Sequence, residues 1–96
     1  MSEPRVVKTV VVTNPQGLHA RPADMFVKLA TRFESKVEIV KGHERVDGKS
    51  ILGILTLAAA EGTTLSIEAA GPDAQAALDA LVALVEHDFA ENENIH

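Results

Sequence analysis

Apolar and polar residues alternate with a period of two over Lys36–Lys41 and again over Thr63–Ala70. In the first stretch Val37 and Ile39 share one face, opposite Glu38 and Val40; in the second, Leu65, Ile67 and Ala69 alternate with Ser66 and Glu68. That period belongs to β-strands, whose successive side chains point to opposite faces. Arg5–Thr13 is β-branched almost throughout, which also favours a strand, and Asn14-Pro15-Gln16-Gly17 stops it. Between Ala20 and Phe33 the pattern changes: Ala23, Phe26, Leu29, Ala30 and Phe33 recur at helical spacing. Leu78, Leu81, Val82, Val85 and Phe89 form a second helical stripe, after a start signal at Gly71-Pro72-Asp73. Between these elements, Gly42-His43 predicts a hairpin turn into a short strand at Glu44–Val46, which Asp47-Gly48 breaks. Ser50 is placed to N-cap a short helix reaching Leu57, and Glu61-Gly62 turns the chain into the last strand.

The predicted order is β-α-β-β-α-β-α. This gives an α+β fold, an open-faced β-sandwich in which a four-stranded antiparallel sheet carries three helices on one face. The first and third helices are expected to cover the sheet. The long connections allow the first and last strands to be neighbours, but pattern alone does not fix strand order. No internal repeat, linker or low-complexity segment interrupts residues 1–96, so a single domain is expected, with its core at about 5–90 and a polar tail at 91–96.

Composition narrows the function classes. With 46% apolar and 24% charged residues, the chain has the make-up of a compact domain rather than of a disordered one. The absence of cysteine removes disulfide scaffolds, thiol nucleophiles and cysteine-based zinc sites. The longest apolar stretch, Ile51–Ala60, is too short to span a bilayer, and Met1-Ser2-Glu3-Pro4 has no apolar signal core. A cytoplasmic protein without membrane insertion is expected. A net charge of −5 argues against nucleic acid as the partner. An RNA platform would also need aromatics on its strands, and Phe26, Phe33 and Phe89 all fall at helical positions.

The candidate chemistry sits in Gly17-Leu18-His19-Ala20-Arg21-Pro22-Ala23. Helix starts carry partial positive charge and unpaired N–H groups, which suit phosphate. Proline belongs in a first helical turn because its missing N–H has no intrahelical role there. Neutral imidazole is a nucleophile that forms a labile bond to phosphorus, so His19 is the candidate acceptor of a phosphoryl group. The backbone N–H groups of Ala20 and Arg21 could donate to its oxygens, and the Arg21 guanidinium could neutralise its charge. Gly17 allows a sharp backbone turn just before. The competing reading is a helix start on which His19 is only a cap and Arg21 a surface residue.

The heptapeptide resembles the active-site signature of the HPr family, histidine-containing phosphocarriers of the bacterial sugar phosphotransferase system. The likeness extends over roughly residues 5–90 and includes Lys49-Ser50-Ile51-Leu52-Gly53. It implies that His19 is phosphorylated on Nδ1 by enzyme I, itself charged from phosphoenolpyruvate, and passes the group to the IIA domain of a sugar permease. Arg21 would be the phosphate partner. The carrier would be a monomer that needs no cofactor or metal and does not turn over a small substrate. Another branch of such carriers serves nitrogen-related regulation, and the sequence does not separate the two.

Ser50 resembles the regulatory serine that HPr kinase/phosphorylase modifies in some relatives, where the product also docks a transcriptional regulator. A phosphate there would add negative charge at a helix start, which the helix tolerates but a phosphorylated donor would not. N-capping requires the same residue, so both roles stay open. A regulatory module acting through Ser50 is therefore the alternative to a carrier. Ile51, Leu52 and Leu55 make the short helix apolar nearly all round, so part of it should be exposed as a docking patch. Ala20, Lys28 and Lys49, with Arg21, would complete a rim for acidic partners. Two departures from the family pattern stand out. Ala58 occupies a position where glycine is usual, and Thr31 one where some relatives carry a basic residue. His43, His87 and His96 lack metal-ligand spacing, and Glu86, Asp88, Glu91 and Glu93 read as a solvated acidic end.

Overall fold

The computed structural model describes residues 5–90 of the chain. The tail at 91–96, with Glu91, Glu93 and His96, lies outside the described residues. The elements are β1 (Arg5–Val11), α1 (Ala20–Ala30), β2 (Lys36–Lys41), β3 (Glu44–Asp47), α2 (Ile51–Thr56), β4 (Thr64–Ala70) and α3 (Ala74–Glu86). The sheet has the order β1-β4-β2-β3, with every pairing antiparallel, so the first and last strands are indeed neighbours.

Register follows from the alternation. Val10 pairs with Leu65 and Val6 with Ala69, while Val37 pairs with Ala69 and Ile39 with Ile67, so the apolar residues of three strands meet on one face. The helices cover that face: Phe26 of α1, Ile54 of α2 and Leu81 of α3 all join its core, each at most 1% exposed. The other face stays open. There Glu68 of β4 accepts from Arg5 at 2.5 Å and from Arg45 at 2.7 Å, and Arg45 also reaches Glu38 at 2.8 Å. Arg45, chiefly through that hydrogen bond, holds the Glu68 carboxyl below its ordinary range.

Two helices end earlier than their apolar stripes suggest. α1 stops at Ala30, and Phe33 lies in the following turn, with its N–H on the Ala30 carbonyl. α3 stops at Glu86, and Phe89 reaches the core through a turn in which its own N–H donates to the Leu84 carbonyl. Asp88 and Phe89 both have left-handed φ, 58° and 57°, so the stripe continued in sequence while the helix did not.

Candidate functional site

The strand β1 delivers the chain into a loop fixed by backbone bonds. Gly17 N–H donates to the Asn14 carbonyl, Leu18 N–H to the Ala59 carbonyl, and the Asn14 side-chain amide to the Gly17 carbonyl. Gly17 adopts a φ of +69°, and a Cβ there would lie 2.4 Å from the Ala59 carbonyl oxygen. Both facts demand glycine. The loop thus pins the residue two positions before His19 against the β4 side of the molecule.

His19 then stands as the N-cap of α1 in an extended conformation, and its side chain makes no capping hydrogen bond. Its carbonyl accepts the Ala23 N–H at 3.0 Å, which starts the helix without help from the imidazole. The ring is therefore not consumed by capping. Pro22 is the third helical residue, still within the first turn, where a missing N–H costs no helical bond. No acidic residue occupies that turn, so the partial positive charge of the helix end is not cancelled there.

His19 and Arg21 line a cleft of about 290 Å³ together with Asn14, Pro15, Gln16, Pro22, Met25, Asp88 and Phe89. Six of these lie outside the heptapeptide: in sequence Asn14-Pro15-Gln16 reads only as a turn, Met25 carries no signal, Phe89 reads as core and Asp88 as a solvated acid. Asp88 instead accepts a hydrogen bond from the Thr13 hydroxyl, which ties the end of α3 to the end of β1 beside the cleft. Asn14 is buried, and its Oδ1 has no hydrogen-bond partner among the described residues. Spacing alone could not bring residues 14–25 and 88–89 together, because their meeting depends on β1 running alongside α3.

The Ser50 segment lies across α1. Ser50 Oγ accepts the Gly53 N–H at 3.0 Å as the N-cap of α2. Leu52 is 76% and Ile51 37% exposed, Leu55 is half-buried, and Ile54 alone on this helix is fully buried. The apolar patch is therefore real. The cations around it are partly engaged: Lys28 pairs with Asp24 at 3.1 Å, and Lys49 Nζ donates to the Phe33 carbonyl at 2.8 Å. Ala20 and Arg21 are exposed at the start of α1. Among the described residues no cluster of three or more His, Cys, Asp or Glu could hold a metal ion. No helix there is long and apolar enough to cross a membrane.

The family model described as the PTS HPr component phosphorylation site matches residues 6–87. The chain belongs to the HPr family, the phosphocarriers of the phosphotransferase system. The phosphocarrier protein HPr of Treponema pallidum is 46% identical over 86 residues, covering 90% of this chain and 98% of the relative. The phosphocarrier protein NPr of Shewanella violacea is 39% identical over 87 residues, covering 91% and 96%. Relatives called HPr-like protein Crh match as well. Among solved structures, HPr of Thermoanaerobacter tengcongensis superposes with a TM-score of 0.86 at 39% identity, covering 91% of this chain and 98% of that one. The order of elements and the open sheet are thus those of HPr proteins.

Proposed function

We propose that this HPr-family chain carries its phosphoryl group on His19, between phospho-enzyme I and a IIA domain of a sugar permease. The observation that carries the reading is a histidine at a helix N-cap whose ring is not used for capping and which borders a cleft with Arg21. In charging, a lone pair of the imidazole, on Nδ1 by the family resemblance, attacks phosphorus in line. The bond to the donor breaks with its electron pair staying on the donor. The reverse steps deliver the group to the acceptor. The chain's own contribution is position and charge: the helix start and the Arg21 guanidinium face the phosphoryl oxygens. The exposed Ile51–Leu52 patch, with Leu55, Ala20, Lys28 and Lys49, is the docking face for both partners. The carrier works in the cytoplasm, where those partners are.

Incubation with enzyme I and labelled phosphoenolpyruvate should yield acid-labile phosphate on the wild-type protein and none on His19→Ala. Label retained by that variant overturns the assignment. A second reading is a regulatory module acting through Ser50. What favours it is that the Ser50 hydroxyl caps a helix flanked by exposed apolar residues, where a phosphate would change a docking face. ATP and HPr kinase/phosphorylase should then label the wild type and leave Ser50→Ala unlabelled. Charging by a nitrogen-branch enzyme I in preference to the sugar-branch enzyme would instead move the chain beside NPr.

A further inference from the structure

The cleft beside His19 lies between two helix ends of opposite sign. His19, Arg21 and Pro22 border it from the start of α1, while Asp88 and Phe89 border it from just beyond the end of α3. A helix start carries partial positive charge and a helix end partial negative charge. One wall of the cleft therefore attracts a phosphoryl group and the other repels it.

Asp88 adds a full negative charge to the repelling wall, where nothing in the fold asks for an acid. A helix C-terminus disfavours anions, and α3 has no basic residue in its last turn to offset one. The φ of 58° at Asp88 suits glycine or asparagine at least as well. Its hydrogen-bond partner among the described residues is the Thr13 hydroxyl, which is neutral and serves a neutral acceptor too. That tether explains an acceptor at position 88; it does not explain a charge. Features set against local preference gather where a site needs them.

We propose that the Asp88 carboxylate sets how tightly His19 holds its phosphoryl group, by repelling it. This inference rests on the carrier reading. In charging, the bond from phosphorus to the donor breaks with its electron pair on the donor, and the His19 lone pair forms the new N–P bond. Onward transfer reverses both changes at His19. The carried group brings its negative charge into a cleft of about 290 Å³. In a space that small it stands within reach of Asp88 on the scale of a Debye length, about 8 Å at physiological salt, so the repulsion is only partly screened. Arg21 and the start of α1 favour the loaded state; Asp88 and the end of α3 favour the empty one. A carrier has to release what it accepts, and this opposition keeps the two states close in free energy.

The test measures an equilibrium, which is blind to how well enzyme I docks. Enzyme I is supplied in catalytic amount with a fixed ratio of labelled phosphoenolpyruvate to pyruvate. The ratio of phosphorylated to free carrier should rise about three- to tenfold in Asp88→Asn at low salt. Asp88→Gly, which also fits left-handed backbone, should rise likewise. In about 1 M salt, where the Debye length falls to about 3 Å, both variants should converge on the wild type. Thr13→Val, which removes the tether and keeps the charge, should stay near the wild type throughout. Equal ratios at low salt, a shift that survives high salt, or the same shift in Thr13→Val would each overturn the proposal. If neither the wild type nor Asp88→Asn takes up acid-labile phosphate, the carrier reading itself fails, and this inference falls with it.

Discussion

The two ends of the sheet obey different rules. At the end where β1 begins and β4 stops, the loop after α1 and the loop before α3 lock together. Asp73 accepts the N–H groups of Glu34 and Ser35 at 2.9 Å each and the Ser35 hydroxyl at 2.5 Å, while Ser35 Oγ accepts the Asp73 N–H at 3.1 Å. Gly71 is there because a Cβ would come within 2.6 Å of Ser35 Oγ. The Ser35 hydroxyl, followed by the Glu34 N–H, draws the Asp73 carboxyl below its ordinary range. At the opposite end, around His19, Asn14 Oδ1 is buried without a partner among the described residues, the His19 ring makes no capping hydrogen bond, and Ala58, Asp88 and Phe89 all take left-handed φ. One end satisfies its polar groups; the other keeps groups unspent and backbone strained. Departures of this kind gather where a surface has a task beyond folding.

The largest effect should come from closing the gap at the strained end. Gly17→Ala places a Cβ against the Ala59 carbonyl and forces alanine into left-handed backbone. Those penalties, about 1–2 and 1–3 kcal/mol, add to a destabilisation of roughly 2–5 kcal/mol, readable by denaturant unfolding. Because relief would require moving the loop before α1, charging by enzyme I should fall with it. A variant that unfolds like wild type would show that the loop yields more easily than its contacts imply.

The next effect breaks the satisfied end. Ser35→Ala removes the 1% exposed hydroxyl that both donates to Asp73 and accepts from it, at about 1–3 kcal/mol. Charging of His19, at the far end, should not change, which is what separates this variant from Gly17→Ala. The same junction sets an acid response. A carboxyl whose folded pKa lies below its unfolded value contributes stability above the unfolded pKa and loses it as pH falls through the folded one. Wild type should therefore lose stability on acidification below the ordinary aspartate range, and Asp73→Asn should flatten that part of the profile in thermal melts. An unchanged profile would mean the locked loops do not depend on the Asp73 charge.

This contrast explains what was legible in the sequence. Strands and helices were visible because Val37, Ile39, Leu65 and Ile67 on one side, and Phe26, Leu81 and Val85 on the other, carry the periods of their elements. His19, Arg21 and Ser50 were visible because helix starts have a grammar. Asn14 and Asp88 were not, since a turn asparagine and a terminal acid look the same whether they face solvent or a cleft. Their role appears only once β1 and α3 lie side by side. Phe89 shows the converse, an apolar stripe that outran its helix. Lys49 read as a rim cation, yet its ammonium also ties the start of α2 to the Phe33 carbonyl, a long-range bond no local pattern encodes.

The smallest predicted effect sharpens the comparison from the stabilising side. Ala58 follows α2 with φ of 50° and is exposed, so its methyl contributes little burial. Alanine in left-handed backbone costs about 1–2 kcal/mol, whereas glycine adopts that conformation without steric penalty. Glycine also widens the unfolded ensemble, which takes back about 0.4–1 kcal/mol. Ala58→Gly should therefore raise stability by up to roughly 1.5 kcal/mol, a small upward shift in melting temperature. Since Ala59 and Ala60 form the wall against which Gly17 packs, relaxing residue 58 also tests whether strain at this end is used. If it is incidental, Ala58→Gly should be more stable and charge at the wild-type rate. A stabilised variant that charges more slowly would make the strained turn part of the site, and the difference between the two ends of the sheet would be functional at the backbone as well as at the side chains.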